Sequence, residues 1–177
     1  MWPFSKSQPV AASGILCEMT DYHSHILPGV DDGVKTMNES LQILAEMKLQ
    51  GVRKVWFTPH IMEDIPNTNA GLRERFQDLK EKFRKPEDAY CGTVELNLAA
   101  EYMMDNLFAE RLEADDLLPI YEGGYRYLLV ETTGFTPPMN LLPVLKRIQT
   151  KGYRPLLAHP ERYLYMGCLL YTSPSPR

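Results

Sequence analysis

The chain has 177 residues, of which 44% are hydrophobic and 24% charged, and its formal net charge is -4. That is long enough for one domain with its own core, and the composition excludes a disordered or fibrous chain. Charges of both signs are interspersed and no apolar run reaches membrane-spanning length, so neither a nucleic-acid surface nor a membrane span is expected.

Residues 1–13 are polar, contain Pro and Ser, and are expected to form a flexible leader. They hold no apolar stretch of the signal-peptide kind, and the expected location is the cytoplasm. The three cysteines, Cys17, Cys91 and Cys168, show no paired spacing. That gives no disulfide framework or thiolate zinc site, and Cys17 and Cys91 are expected as small core residues.

From residue 14 onward, short apolar runs alternate with helical patterns. Residues 15–22 form the first run. Thr36 and Glu39 then fit a capping box, Leu41, Leu44, Ala45 and Lys48 share one helical face, and Gly51 stands at the stop. Residues 52–58 are β-branched and aromatic, as in a strand. Residues 70–85 are predicted helical from Leu72, Phe76, Leu79 and Phe83, with Pro86 ending them. A strand is expected over 93–100, a short helix over 105–113 and a buried strand over 127–130. A helix over 140–150 follows, carrying Leu141, Leu145 and Ile148 and stopped by Gly152, and then a fifth strand over 154–158.

This alternation predicts an α/β fold with a parallel sheet and helices packed outside it. A closed barrel and an open sheet both fit. Five units are too few to close the usual eight-stranded barrel.

The chemistry gathers after the strands. His23 and His25 follow the first, His60 the second, Glu101 the third, Glu131 the fourth, and His159 and Arg162 the fifth. All four histidines of the chain lie at strand C-terminal ends, where βα folds assemble their sites. One such residue alone is ordinary loop polarity; five in series are not. Residues two apart on an extended strand point the same way, so His23 and His25 can reach one metal ion. Nitrogen and carboxylate donors without thiolate suit manganese, iron or zinc. Asp21 can orient a histidine from behind. Residues 26–33 (ILPGVDDG) form a turn-rich loop in which one carboxylate can fold back as a ligand.

Residues 21–33 (DYHSHILPGVDDG), Thr58-Pro59-His60, Ala100-Glu101-Tyr102, Val130-Glu131 and residues 158–163 (AHPERY) together resemble the capsule-type, manganese-dependent protein-tyrosine phosphatases of the polymerase-and-histidinol-phosphatase (PHP) superfamily. The motifs run in order from about residue 21 to 166. The resemblance implies a distorted (β/α) TIM-like barrel with two or three divalent ions. His23, His25 and Glu101 would hold the first ion, Glu101, Glu131 and His159 the second, and Asp32 and His60 the third. Arg162 would bind the phosphate and, with His159, would be catalytic. It also implies Mn2+, with Fe or Zn as alternatives.

The expected reaction is phosphomonoester hydrolysis by a hydroxide bridging two metals. The expected substrate is phosphotyrosine on a protein, a bacterial tyrosine kinase of capsule or exopolysaccharide assembly. A small ester such as histidinol phosphate, or a metal-binding fragment without turnover, stay as alternatives. No cysteine has an arginine six residues on, which speaks against a cysteine phosphatase, and a phosphate-cradling P-loop is absent.

The family also has a late Asp-x-His motif, and none follows His159 here. The metallophosphatase domain is therefore expected over 14–167 and cut short. Residues 168–177 (CLLYTSPSPR) read as a non-native tail, an in-frame sequencing-adapter translation. An incomplete barrel would expose strand edges and favour a homo-oligomer.

Overall fold

The computed structural model describes residues 14–83, 94–136 and 138–165. The leader expected over 1–13, Pro86, Cys91 and the tail expected over 168–177 lie outside these residues.

Strand β1 is Thr20–Ser24. It starts later than the apolar run suggests, because residues 14–18 form turns and Glu18 takes a left-handed φ of 62°. Cys17 is exposed in this turn rather than in the core. Helix α1, Met37–Leu49, opens with the expected capping box: Thr36 accepts from Glu39 N, and the Glu39 carboxylate accepts from Thr36 N at 2.9 Å. Its buried face centres on Leu44 as expected, but turns toward Ser40 and leaves Ala45 exposed. The fully buried Ser40 hydroxyl donates to Ile26 O at 2.7 Å and so fixes the loop that leaves β1.

The run over 52–58 becomes β2, Lys54–Phe57, followed after Thr58-Pro59 by the short β3, His60–Ile61. Helix α2 spans Asn69–Phe83, with Leu72 and Leu79 buried and the Phe76 ring 5.3 Å from Phe57. The third run also divides, into β4 (Glu95–Leu98) and β5 (Glu101–Met103), so Glu101 begins a strand rather than ending one. Helix α3 is Asn106–Ala114, capped by Asp105. A hairpin absent from the sequence expectation follows: β6 (Ile120–Glu122) turns through Gly123-Gly124 into β7 (Tyr125–Glu131), antiparallel. Helix α4, Leu141–Thr150, buries Ile148 and leads to β8, Arg154–Leu157.

Among the described strands, all pairing except that of β6 is parallel. The strands pair as β1-β2-β4 and as β3-β5-β7, with β6 and β8 both on β7. The two sets are continuous, because β3 prolongs β2 and β5 prolongs β4. Hydrogen bonds from Ala99 N to Phe57 O (2.8 Å) and from Glu101 N to Pro59 O (3.1 Å) carry the pairing across the breaks. The result is one curled arc in the order β1, β2–β3, β4–β5, β7, β8.

Side chains alternate across this arc. Val55, Phe57, Tyr102, Leu128 and Val130 join the main core with Leu44, Leu72, Leu79 and Ile148 of the helices. Trp56, Ala99, Ile120, Leu129 and Ala158 make a smaller cluster on the other, concave face. On that face, beyond the small cluster, stand the ionisable residues.

Candidate metal centre

β1 carries a bulge just where the histidines begin. Asp21 pairs with Val55 and Ser24 with Phe57, so three steps on β1 match two on β2. Bulges re-aim side chains near functional sites. Asp21 accepts the His23 backbone N–H at 3.1 Å and so supports the histidine through its main chain rather than its ring. Burial holds the Asp21 carboxyl above its ordinary value. The buried Ser24 hydroxyl donates to Trp56 O at 2.9 Å, and Ser24 N donates to Thr58 Oγ1 at 3.0 Å. These bonds hold the end of β1 against β2.

Glu101 is the centre of the site. It is fully buried, and histidines approach it from several strands. His23 Nε2 lies 2.9 Å and His25 Nε2 3.0 Å from its Oε2, and those two ring nitrogens are 3.1 Å apart. His60 Nδ1 is 3.4 Å from the same oxygen, and His159 Nε2 is 3.0 Å from Oε1. Glu131, 8% exposed, stands 3.1 Å from His60 Nδ1 and 3.6 Å from His159 Nε2. Burial opposes the charge on Glu101, but the His23 and His25 hydrogen bonds outweigh it and hold the carboxyl far below the usual range.

The loop 26–33 brings two carboxylates to different tasks. Asp32 has its side chain 77% exposed and Oδ1 3.7 Å from His60 Nε2. Asp31 is the residue that sequence reasoning missed. Its side chain is fully buried, lies 2.9 Å from His25 Nδ1, and accepts from Gly33 N at 2.9 Å and His60 N at 3.1 Å. It thereby fixes the His25 ring with Nε2 facing Glu101. Burial works against a charged His25, but the Asp31 and Glu101 hydrogen bonds prevail and push it up to about 10. The signal available was Asp-x-Gly, the pattern of a side chain that caps its own turn. Gly33 is required for another reason: a Cβ there would sit 2.1 Å from His25 O.

Three overlapping groups have donor atoms within 4.8 Å of one another: His23, His25 and Glu101; His25, Asp32 and His60; and His60, Glu101 and Glu131. Among the described residues, Glu101 Oε1, Glu131 Oε1, His60 Nδ1 and His159 Nδ1 are buried without a hydrogen-bond partner. Buried polar atoms are rarely left so. Several lie near one another but off hydrogen-bond angles, as groups do when they face a common point. With a donor set of imidazole and carboxylate, the residues fit a divalent cation. His159 sits just after β8 with φ 29° and ψ 58°, in the left-handed region. The turn Pro160–Arg162 then sets Arg162 on the wall of the same cavity, of about 850 Å³. Among the described residues the Arg162 guanidinium has no carboxylate partner.

All eight site residues expected from the sequence, His23, His25, Asp32, His60, Glu101, Glu131, His159 and Arg162, thus line one cavity. Residues 19–170 match the family model for capsular polysaccharide synthesis, CpsB/CapC. The chain belongs to the CpsB/CapC family. Among relatives, it is 32% identical over 146 residues to the tyrosine-protein phosphatase CpsB of Streptococcus pneumoniae, covering 82% of this chain and 58% of that protein. It is 30% identical over 148 residues to the tyrosine-protein phosphatase YwqE of Bacillus subtilis, covering 81% of this chain and 55% of YwqE. The fold matches a crystal structure from work on YwqE and CpsB as unique metal-dependent tyrosine phosphatases. That match has a TM-score of 0.71 and 28% identity, and covers 86% of this chain and 61% of the other. The chain therefore spans little more than half the length of these CpsB/CapC relatives.

Proposed function

We propose that this chain carries a metal-dependent phosphomonoesterase site whose substrate is phosphotyrosine on a protein. The observation that carries the reading is the fully buried Glu101 carboxylate with four histidine rings converging on it. The names of the CpsB and YwqE relatives support the substrate class.

Two or three divalent ions, manganese first and iron or zinc as alternatives, would be held by these side chains. His23, His25 and Glu101 would hold one, Glu101, Glu131 and His159 a second, and Asp32 and His60 a third, with His60 also within reach of the second set. Bound there, divalent ions would supply Lewis acidity and a nucleophile at neutral pH. The chain's own part is positional. Asp31 and the bulge in β1 aim His25 and His23, and Glu101 gathers the rings. Arg162, which has no carboxylate partner among the described residues, offers a planar fork to two phosphoryl oxygens. A tyrosinate leaves with a pKa near 10, so it needs less help from a general acid than an alkoxide does.

The same reading takes the curled sheet as part of a distorted (β/α) barrel of PHP type. It takes the substrate protein as a bacterial tyrosine kinase of capsule or exopolysaccharide assembly, in keeping with the family description, and the location as the cytoplasm. Phosphate release from a phosphotyrosine peptide with added manganese, with and without chelator, tests the proposal. Chelator-sensitive release is expected. No release with metals demonstrably bound would sink it, and would turn attention to a small phosphate ester or to a binding role without turnover.

A further inference from the structure

The cavity that holds the ionisable cluster is not wholly polar. Met62, Ile65 and Met103 line it together with the histidines, the carboxylates and Arg162. None of the three is fully buried, so each has apolar surface that the free protein leaves in contact with water.

Their placement follows from the strand register. His60 pairs with Glu101 and Ile61 with Tyr102, so the next step brings Met62 level with Met103. Met103 in turn pairs with Glu131. Side chains two apart on a strand share a face, so Met62 and Met103 stand on the face that carries His60 and Glu101, about 6.6 Å further along the strands. They stand one layer outward from Glu101 and level with Glu131. Ile65 joins them through a tight turn, in which Met62 N donates to Ile65 O at 3.2 Å and Ile65 N to Met62 O at 3.0 Å.

That turn is built to stay in place. Glu63 N donates to Asp105 Oδ2 at 2.7 Å, while the other Asp105 oxygen caps α3. Asn106 Nδ2 donates to Glu63 Oε1 at 2.8 Å. Asn67 N donates to Ile65 O at 2.8 Å, and the Asn67 side chain donates to His60 O at 3.0 Å and Val30 O at 2.8 Å. The turn is tied to α3, to the loop after β1 and to the histidine strand itself.

We propose that Met62, Ile65 and Met103 form an apolar wall that receives the aromatic ring of the ester, and so make the site select aryl over alkyl phosphates. The proposal rests on the phosphatase reading above. With the phosphoryl group held over Glu101, a ring joined to phosphorus through one oxygen reaches the layer of Met62, Met103 and Glu131. There it covers the exposed apolar surface and meets two thioethers, which favour aromatic edges. A short alkyl ester leaves that surface wet.

The test uses the full chain loaded with manganese's diamagnetic substitute, zinc, and with its methionine methyl groups labelled with 13C. Phenylphosphonate and methylphosphonate are the probes, and Met62→Leu and Met103→Leu assign the resonances. Ring-current shifts at Met62 and Met103 with the phenyl probe alone are the expected result. In parallel, the ratio of kcat/KM for phenyl phosphate to that for an ethyl phosphate should fall roughly 10-fold in the Met62→Ala, Met103→Ala double variant, the scale of one lost apolar contact. Equal shifts with both probes, or an unchanged ratio while both esters still turn over, would overturn the wall and leave the phosphatase reading intact. If neither phosphonate binds and neither ester is hydrolysed, both readings fall together.

Discussion

A buried carboxylate that takes three hydrogen bonds cannot become an amide without turning an N–H toward a donor. Asp31 is in that position, between the His25 ring and the backbone N–H groups of Gly33 and His60. In Asp31→Asn the amide N–H must face either the His25 ring and His60 N or the Gly33 N–H, so the anchor of the His25 ring is weakened. Metal affinity is expected to fall 10- to 100-fold, the usual cost of losing a group that orients a ligand, as measured by competition against a chromophoric chelator. An affinity within threefold of the parent's would remove Asp31 from the site. His25 adds a pH dependence of fixed sign. Its partners raise it to about 10, above its ordinary value, so the metal-free chain carries this proton at neutral pH. A ligand imidazole must be neutral, so loading releases the proton, and affinity weakens as the solution is acidified. Metal added at pH 7 in weak buffer should free at least one proton per chain, read with an indicator dye. Loading without proton release would contradict a charged His25.

Helix α1 shows the same logic without any chemistry. Its capping box satisfies N–H groups at the start of the helix, and Thr36 lies away from the cavity. Thr36→Ala should cost about 1 kcal/mol in urea denaturation, with metal affinity unchanged. This element was legible from four letters, as was α2 from its 4-3-4 apolar spacing, because both signals are local. The strands were less so. The division at Thr58-Pro59 and between β4 and β5 depends on how the sheet curls, which no window of sequence carries. The β6–β7 hairpin was missed although Gly123-Gly124 announces a turn, because β6 is only three residues long and offers no alternation to count. Cys17 was misplaced because an apolar neighbourhood in sequence proved to be a surface turn. At the site, every histidine and both glutamates could be named in advance, since they follow apolar runs. Asp31 could not be told from Asp32, because only the fold decides which of two adjacent carboxylates turns inward.

Across the molecule, the cluster collects side chains from β1, β3, β5, β7 and the turn after β8, which span the whole arc. Ions held there would bind the folded chain and leave the unfolded chain nearly untouched. Metal at a hundredfold above its dissociation constant should therefore stabilise the fold by about 2.7 kcal/mol. Thermal unfolding followed with and without chelator reads this directly, and equal melting temperatures would mean that no ion binds the folded arc in preference to the unfolded chain.

The left-handed backbone at His159 sets two demands on that residue against each other. Glycine would rest there freely, whereas a residue with a Cβ gives up about 1–2 kcal/mol. Sturdiness and the metal-holding role proposed for this imidazole thus pull the position in opposite directions. In a lineage released from the need for the reaction, drift toward glycine would be rewarded at once, and the imidazole would go while the sheet around it stayed unchanged. A glycine at this position would then be the mark of an abandoned site.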